Sequence, residues 1–265
     1  MDMPTPTTCC APRVALHYQG VVLGSLTQAM LEALQEFQGA DFQLATDGEG
    51  PRAEVLTGAL GETLERLHVR LADTQLVPPA ASEQVDIWHP VTQDRLGRVD
   101  RKLARLLGME MHSAHLLLVS EQGVCLQRRA LDKAVDPGLW DTTVGGTRMA
   151  GESIDQTLAR EMFEEAGLRP QQLDGLCWLG MWTFDQESRY GPYAAWQHEK
   201  MWVWVARAAD PLWEPNCGDG EVMEFAWRSF TDLAKSEAPF AYTQELRVLL
   251  GSTQWHGYLA GNTSP

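Results

Sequence analysis

The sequence predicts an α+β / α/β fold class in two parts: a small α+β domain over residues 13–110 and a larger domain over 111–252. Residues 1–12 read as a disordered tail and 253–265 as a C-terminal tail. Three observations carry this reading. A helical pattern closing at Gly108 separates the two parts. An apolar strand-turn-strand pattern opens the second part at His115. A helix with both ends marked, by Ser153 and Gln156 at the start and Gly167 and Pro170 at the stop, follows it.

In chain order, residues 14–23 predict strand, turn and strand. Thr27 is placed to cap a helix through Phe37, with Ala29, Met30, Ala33, Leu34 and Phe37 on one apolar face. Residues 42–45 predict a short strand and 47–51 a turn. The spacing of Leu60, Leu64, Leu67 and Leu71 predicts a helix over 60–72. Pro78 and Pro79 break the pattern, a strand follows near 85–88, and Arg95–Leu107 reads as a basic amphipathic helix. That helix is either a surface counterweight to an acidic chain or a guide for anions.

In the second part, 115–119 and 124–128 predict a hairpin around Gln122-Gly123. Residues 176–182 and 199–205 read as strands, joined by a polar-aromatic loop over 189–198. Trp182, Tyr190, Tyr193 and Trp196 either stack on an aromatic substrate group or belong to the core. His115 and His198 carry no catalytic spacing and read as structural. A turn presents Asp219 and Glu221 before a strand at 223–227, and a last helix spans 243–250.

Composition narrows the class. A formal charge of -15 opposes a nucleic-acid or anionic-membrane partner, since both select basic surfaces. Five cysteines (Cys9, Cys10, Cys125, Cys177, Cys217) lack metal-ligand spacing and read as reduced thiols. Neither a signal peptide nor an apolar run of membrane-spanning length is visible, so a cytoplasmic location is expected. The oligomeric state stays open, a homodimer included.

The chemistry lies in residues 146–168. At about 100° per residue, Glu161, Glu164 and Glu165 share one arc of the helix, beside an apolar arc of Leu158, Ala159, Met162 and Ala166. Carboxylates so close repel one another, and a hard divalent cation such as Mg²⁺ or Mn²⁺ relieves that repulsion. Arg160 is placed to pair with Glu152 or with one of the cation's carboxylates. Glycines at 145 and 146 permit close backbone approach and positive φ at the entry to this helix. Upstream, Arg129 and Lys133 suit a diphosphate, though a solvated pair of surface cations has equal weight. Glu221 is a candidate for a further carboxylate at the site, against a plain solvated turn acid.

Gly146, Glu152, Arg160, Glu161, Met162, Glu164, Glu165, Gly167 and Leu168 stand at the nine spacings of the box G-x5-E-x7-R-E-U-x-E-E-x-G-U. This stretch resembles the Nudix hydrolases. The resemblance implies a mixed sheet sandwiched between helices and cleavage of a diphosphate linked to some group X. It implies Mg²⁺ at Glu161, Glu164 and Glu165, with Gly146, Glu152, Arg160 and Gly167 shaping the turn. Residues 126–141, behind an α+β unit, look like the Nudix proteins related to the N-terminal part of fungal thiamine pyrophosphokinase. That narrower likeness implies thiamine diphosphate or its oxidised analogues as substrate. The same run is similar to isopentenyl-diphosphate isomerase, where residues matching Arg129 and Lys133 hold the diphosphate. The isomerase's catalytic cysteine is missing, however, because residues 142–146 are Thr-Thr-Val-Gly-Gly. Hydrolysis of a small diphosphate is therefore the expectation, ahead of a nucleoside-diphosphate-linked substrate, isomerisation or a non-catalytic sensor.

Overall fold

The computed structural model describes residues 13–39, 42–47, 50–55, 59–73, 75, 77–80, 83–190, 193–209, 213–216, 220–233 and 241–261. The expected tail at 1–12, with Cys9 and Cys10, lies outside them, as do Cys217 and Asp219. Two compact units emerge, one of Met1–Glu110 with Asp185–His198 and one of Met111–Phe184 with Glu199–Pro265.

In the first unit, β1 (Val14–Tyr18) and β2 (Val21–Leu26) form a hairpin. Its turn takes positive φ at Gln19 and Gly20. Thr27 caps α1 (Gln28–Gln35), its hydroxyl accepting from the Met30 amide at 3.3 Å. β3 (Phe42–Asp47) and β4 (Gly50–Val55) complete a mixed sheet in which β1 and β4 run parallel. The turn expected over 47–51 already contains the start of β4. Alternating Arg52, Ala53, Glu54 and Val55 make it a strand, with Ala53 and Val55 buried. α2 (Leu60–Asp73) buries Leu60, Leu64, Leu67 and Leu71.

The basic helix expected over 95–107 is a strand followed by a short helix. β5 (Gln84–Trp88) pairs with β6 (Arg95–Asp100), and α3 (Arg101–Leu106) starts only after Asp100. The cause is local. Asp100 caps α3 by accepting from the Lys102 and Leu103 amides, which fixes the helix start there. Gly97 lies where a Cβ would stand 3.3 Å from the Gly61 amide nitrogen, so α2 seats directly on the strand.

The larger sheet uses β7 (Glu110–Ser120), β8 (Gly123–Arg129), β9 (Trp140–Asp141) and β10 (Val144–Thr147). After α4 (Ile154–Ala166) come β11 (Leu173–Tyr190), β12 (Tyr193–Ala208) and β13 (Val222–Arg228). The strand order is β11-β12-β7-β8-β13, with β10 on β7 and β9 on β8. The polar-aromatic loop expected over 189–198 is instead the end of a long hairpin. Gln186 donates to Gln197, and the Trp196 indole donates to Asp185, tying the two strands together there.

Alternation along β7 and β8 builds two cores. Leu117, Val119, Val124 and Leu126 face one side, packing with Leu246, Leu249 and Trp255. Leu116, Leu118 and Cys125 face the other, against Leu158, Met162 and Ala166 of α4. The first core is closed by α5 (Phe230–Leu233), α6 (Gln244–Leu250) and α7 (Thr253–Leu259). The expected tail at 253–265 thus begins with a helix, because Ser252 caps it and Trp255 is buried in that core. The fold is α+β, a sheet between helices with a small sheet domain before it. Among the described residues no helix is long and apolar enough to cross a membrane.

Candidate functional site

α4 presents the acidic arc. Ser153 and Gln156 form a reciprocal capping box at its start, and Gly167 ends it with φ 63°. Within the arc Glu161 and Glu165 are buried, whereas Glu164 is exposed. Arg160 organises the row. Its Nε donates to Glu152 Oε1 at 2.8 Å, and its Nη2 donates to Glu152 Oε2 and to the Thr147 carbonyl, each at 3.0 Å. Its Nη1 reaches Glu161 Oε1 at 2.6 Å and Glu164 Oε2 at 3.0 Å. Glu152 also accepts from the Met149 amide and the Thr157 hydroxyl, so the turn 147–152 and the helix are held by one carboxylate.

The entry glycines act through close approach. A Cβ on Gly146 would stand 2.0 Å from the Glu161 carboxyl carbon, so the carboxylate occupies the place of a side chain. A Cβ on Gly145 would strike His115 Nδ1 at 2.4 Å. The positive φ expected at these glycines falls at Gly151 instead, because Gly145 and Gly146 are strand residues paired with His115 and Ala114. His115 is hydrogen-bonded to Thr142 Oγ1, which also donates to the Val144 carbonyl. Since that hydroxyl has one proton, the His115 Nδ1 is the donor in the pair. Burial lowers the His115 pKa and keeps the ring neutral.

Electrostatics single out the two buried acids. Burial, opposed by Arg160 and aided by Glu164 and Glu221, pushes the Glu161 pKa up to about 7. Burial and the neighbouring Glu161 raise Glu165 well above the usual carboxylate range, against the Gly145 amide and Lys133. Gly145 donates to Glu165 Oε2 at 2.8 Å, and Gln127 Nε2 donates to the same oxygen at 3.1 Å.

The structure separates the two upstream cations. Arg129 is turned inward, donating twice to the Val135 carbonyl and pairing with Asp141 at 3.2 Å. Asp141 in turn accepts from the Thr142 amide and the Thr243 hydroxyl. Arg129 is therefore the strut of the 130–139 loop. Lys133 pairs with Glu221, and both act on the buried carboxylates. Of the aromatic candidates, Trp196 is buried under the Arg13 guanidinium and Trp182 packs on the sheet core, so the core reading holds for both. His198 sits 3.4 Å from Glu110, an ion pair that raises its pKa. Sequence reasoning passed over Gln127 and Asp141. The signal for Gln127 was present, a polar residue directly after the apolar run Val124, Cys125 and Leu126.

The NUDIX domain family matches residues 109–247, more than half of the chain. The chain belongs to the Nudix family. An uncharacterised Nudix hydrolase of Pseudomonas aeruginosa is 44% identical over 92 residues, covering 34% of this chain and 54% of that protein. The chain thus spans about half the length of that relative. An isopentenyl-diphosphate Delta-isomerase of Cereibacter sphaeroides is 29% identical over 171 residues, covering 64% of this chain and 91% of the isomerase. A crystal structure from Deinococcus radiodurans shares the fold with a TM-score of 0.50 at 20% identity, covering 63% of this chain and 97% of that one.

In the Nudix frame, the donor set can be tested against a divalent cation. Among the described residues no three His, Cys, Asp or Glu side chains are gathered to hold a metal ion. Arg160 Nη1 lies between Glu161 and Glu164 and pairs with one oxygen of each. The chemistry of the set nevertheless fits a hard cation. All donors are carboxylate oxygens, two are buried beside each other, and the Gly146 backbone leaves room for one of them.

Proposed function

We propose that this chain is a divalent-cation-dependent hydrolase that cleaves the diphosphate bond of a small organic diphosphate. The observation that carries the reading is the meeting of Glu161, Glu165, Lys133 and Glu221 beside the glycines 145 and 146, where two buried acids have raised pKa values. Membership in a family of diphosphate-bond hydrolases supports it.

Glu161, Glu164 and Glu165 are the residues that would hold Mg²⁺ or Mn²⁺. Such a cation neutralises charge on the phosphates and lowers the pKa of a bound water. Lys133 meets the diphosphate as a point charge once released from Glu221. A water oxygen then bonds to phosphorus, the bridging P–O bond breaks, and Glu165 takes the water's proton. Glu165 suits this better than Glu221, being buried with a raised pKa while Glu221 is about half exposed.

For the group X we propose thiamine diphosphate or its oxidised analogues, yielding the monophosphate and orthophosphate. The likeness of residues 126–141 to the thiamine-linked Nudix proteins supports this choice. The isomerase relatives keep a second reading in view, rearrangement of isopentenyl diphosphate. Against it, Thr142 and Thr143 are fully buried, their hydroxyls committed to Val144 and Cys125 carbonyls, and Cys125 is itself buried with its pKa pushed up to about 12.

The test is phosphate and monophosphate release with Mg²⁺ over thiamine diphosphate, its oxo-analogue, isopentenyl diphosphate, ADP-ribose and NADH, with Glu164→Gln as control. Turnover of the thiamine compounds, lost in the control, is expected. Turnover of nucleotides alone would keep the hydrolase and discard the thiamine group. Rearranged isopentenyl diphosphate without phosphate release would replace hydrolysis by isomerisation.

A further inference from the structure

We infer that Gln127 is the positioning residue for Glu165, selecting which carboxylate oxygen faces the cation and the attacking water. The inference rests on the hydrolase reading above. Gln127 lies near the end of β8 and is 1% exposed. Its Nε2 donates to Glu165 Oε2 at 3.1 Å, and the Gly145 amide donates to the same oxygen at 2.8 Å. Among the described residues no hydrogen bond is made to Glu165 Oε1. One oxygen is therefore saturated by two fixed donors and the other is left to a ligand.

The remaining half of the Gln127 amide marks the role. Its Oε1 is buried with no hydrogen-bond partner. A buried acceptor left unsatisfied is a cost to folding, and an apolar side chain of similar size would avoid it. Two residues earlier on the strand, Cys125 packs into the α4 core, so apolar packing is available on that side. The gain that offsets the cost is the hold on Glu165. A carboxylate rotates in a broad well about its last torsion. Gly145 alone fixes a distance, while a second donor on the same oxygen also fixes the plane. Support of this kind behind a metal ligand is worth about 10- to 100-fold in metal affinity.

The experiment compares wild type with Gln127→Met, which keeps the length and removes the amide. Mn²⁺ binding is read by electron paramagnetic resonance without substrate, thermal unfolding without metal, and kcat and KM with Mg²⁺ and the best diphosphate of the panel. Expected are a 10- to 100-fold weaker Mn²⁺ affinity, a fall in kcat at unchanged KM, and an unfolding midpoint equal to or above wild type. Mn²⁺ affinity and kcat within twofold of wild type would overturn the inference. So would a lowered midpoint in step with the lost affinity, the mark of a merely structural residue. If Gln127→Met does not fold, Gln127→Leu, which likewise has no donor, carries the same comparison. A wild type that binds Mn²⁺ in a Gln127-dependent way yet hydrolyses no diphosphate would sink the hydrolase reading and leave the positioning of Glu165 standing.

Discussion

Arg160 grips Glu152 with two parallel hydrogen bonds, Nε to Oε1 at 2.8 Å and Nη2 to Oε2 at 3.0 Å. The pair joins the turn before α4 to its second turn, eight residues on. A lysine offers one charged nitrogen and cannot reproduce the fork. Arg160→Lys is expected to destabilise the fold by about 2 kcal/mol, and Arg160→Ala by somewhat more, because Glu152 and Glu161 then lose their counter-charge. Thermal unfolding reads this as a midpoint lowered by roughly 4–8 °C for Arg160→Lys. A midpoint unchanged by Arg160→Ala would show that Thr157 and the Met149 amide suffice to hold Glu152.

At Gly146 the added methyl has nowhere to go. The Cβ would stand 2.0 Å from the Glu161 carboxyl, and β10 cannot yield because it is paired with β7. Glu161 must therefore leave its place by an ångström or more. Displacement of that size costs on the order of 100-fold in turnover. Gly146→Ala is expected to lose at least that much in kcat/KM while remaining folded by circular dichroism. Turnover within threefold of wild type would mean that Glu161 is not at the reacting centre in its present pose.

How much of this was legible in the sequence differs by element. The helix α4 was, down to its caps, because Ser153, Gln156 and Gly167 are local signals acting on adjacent backbone. The acidic arc followed from periodicity alone. β4, β6 and the ends of the β11/β12 hairpin were not legible, since each depends on a partner remote in sequence. β6 is a strand because β5 pairs with it and Gly61 of α2 sits against Gly97, neither of which the basic pattern of 95–107 encodes. The role of Arg129 was hidden for the same reason. Its partner Asp141 is twelve residues away, on the far side of the 130–139 loop.

Glu161 makes stability depend on pH in a defined direction. Its carboxyl has a pKa of about 7 in the fold, against 4.5 as its ordinary value. Between these values the unfolded chain has released a proton that the folded chain retains, so stability without metal falls as pH rises. The loss from this group amounts to roughly 3 kcal/mol and is complete above about pH 7. Glu165, also raised, acts in the same sense, while Glu152, lowered, contributes stability that is lost on acidification. Without metal, the unfolding midpoint is expected to drop between pH 5 and 7.5, and Glu161→Gln is expected to flatten the slope. Added Mg²⁺ should raise the midpoint more at pH 8 than at pH 5.5. Equal Mg²⁺ shifts at both values would place the cation away from these carboxylates.

Arg129 and Lys133, alike in the sequence, are expected to fail differently when replaced. Arg129 makes two hydrogen bonds to the Val135 carbonyl and one to Asp141, which Thr243 at the start of α6 also binds. Removing it leaves Asp141 buried without its cation, so Arg129→Ala should lower stability by about 2–3 kcal/mol and damage turnover through the loop it props. Lys133 is held only loosely to the fold, since its partner Glu221 is about half exposed. Lys133→Ala should therefore leave the unfolding midpoint within about 4 °C of wild type, because an exposed ion pair contributes at most ~1 kcal/mol. If Lys133 meets the diphosphate, its loss appears instead as a KM raised about 10-fold or more, softened by a high concentration of Mg²⁺ that shields the same phosphates. Urea titrations paired with steady-state kinetics on both variants decide the matter. A stable Arg129→Ala with a raised KM, beside a Lys133→Ala that behaves as wild type, would reverse the two roles and make Arg129 the residue that grips the substrate.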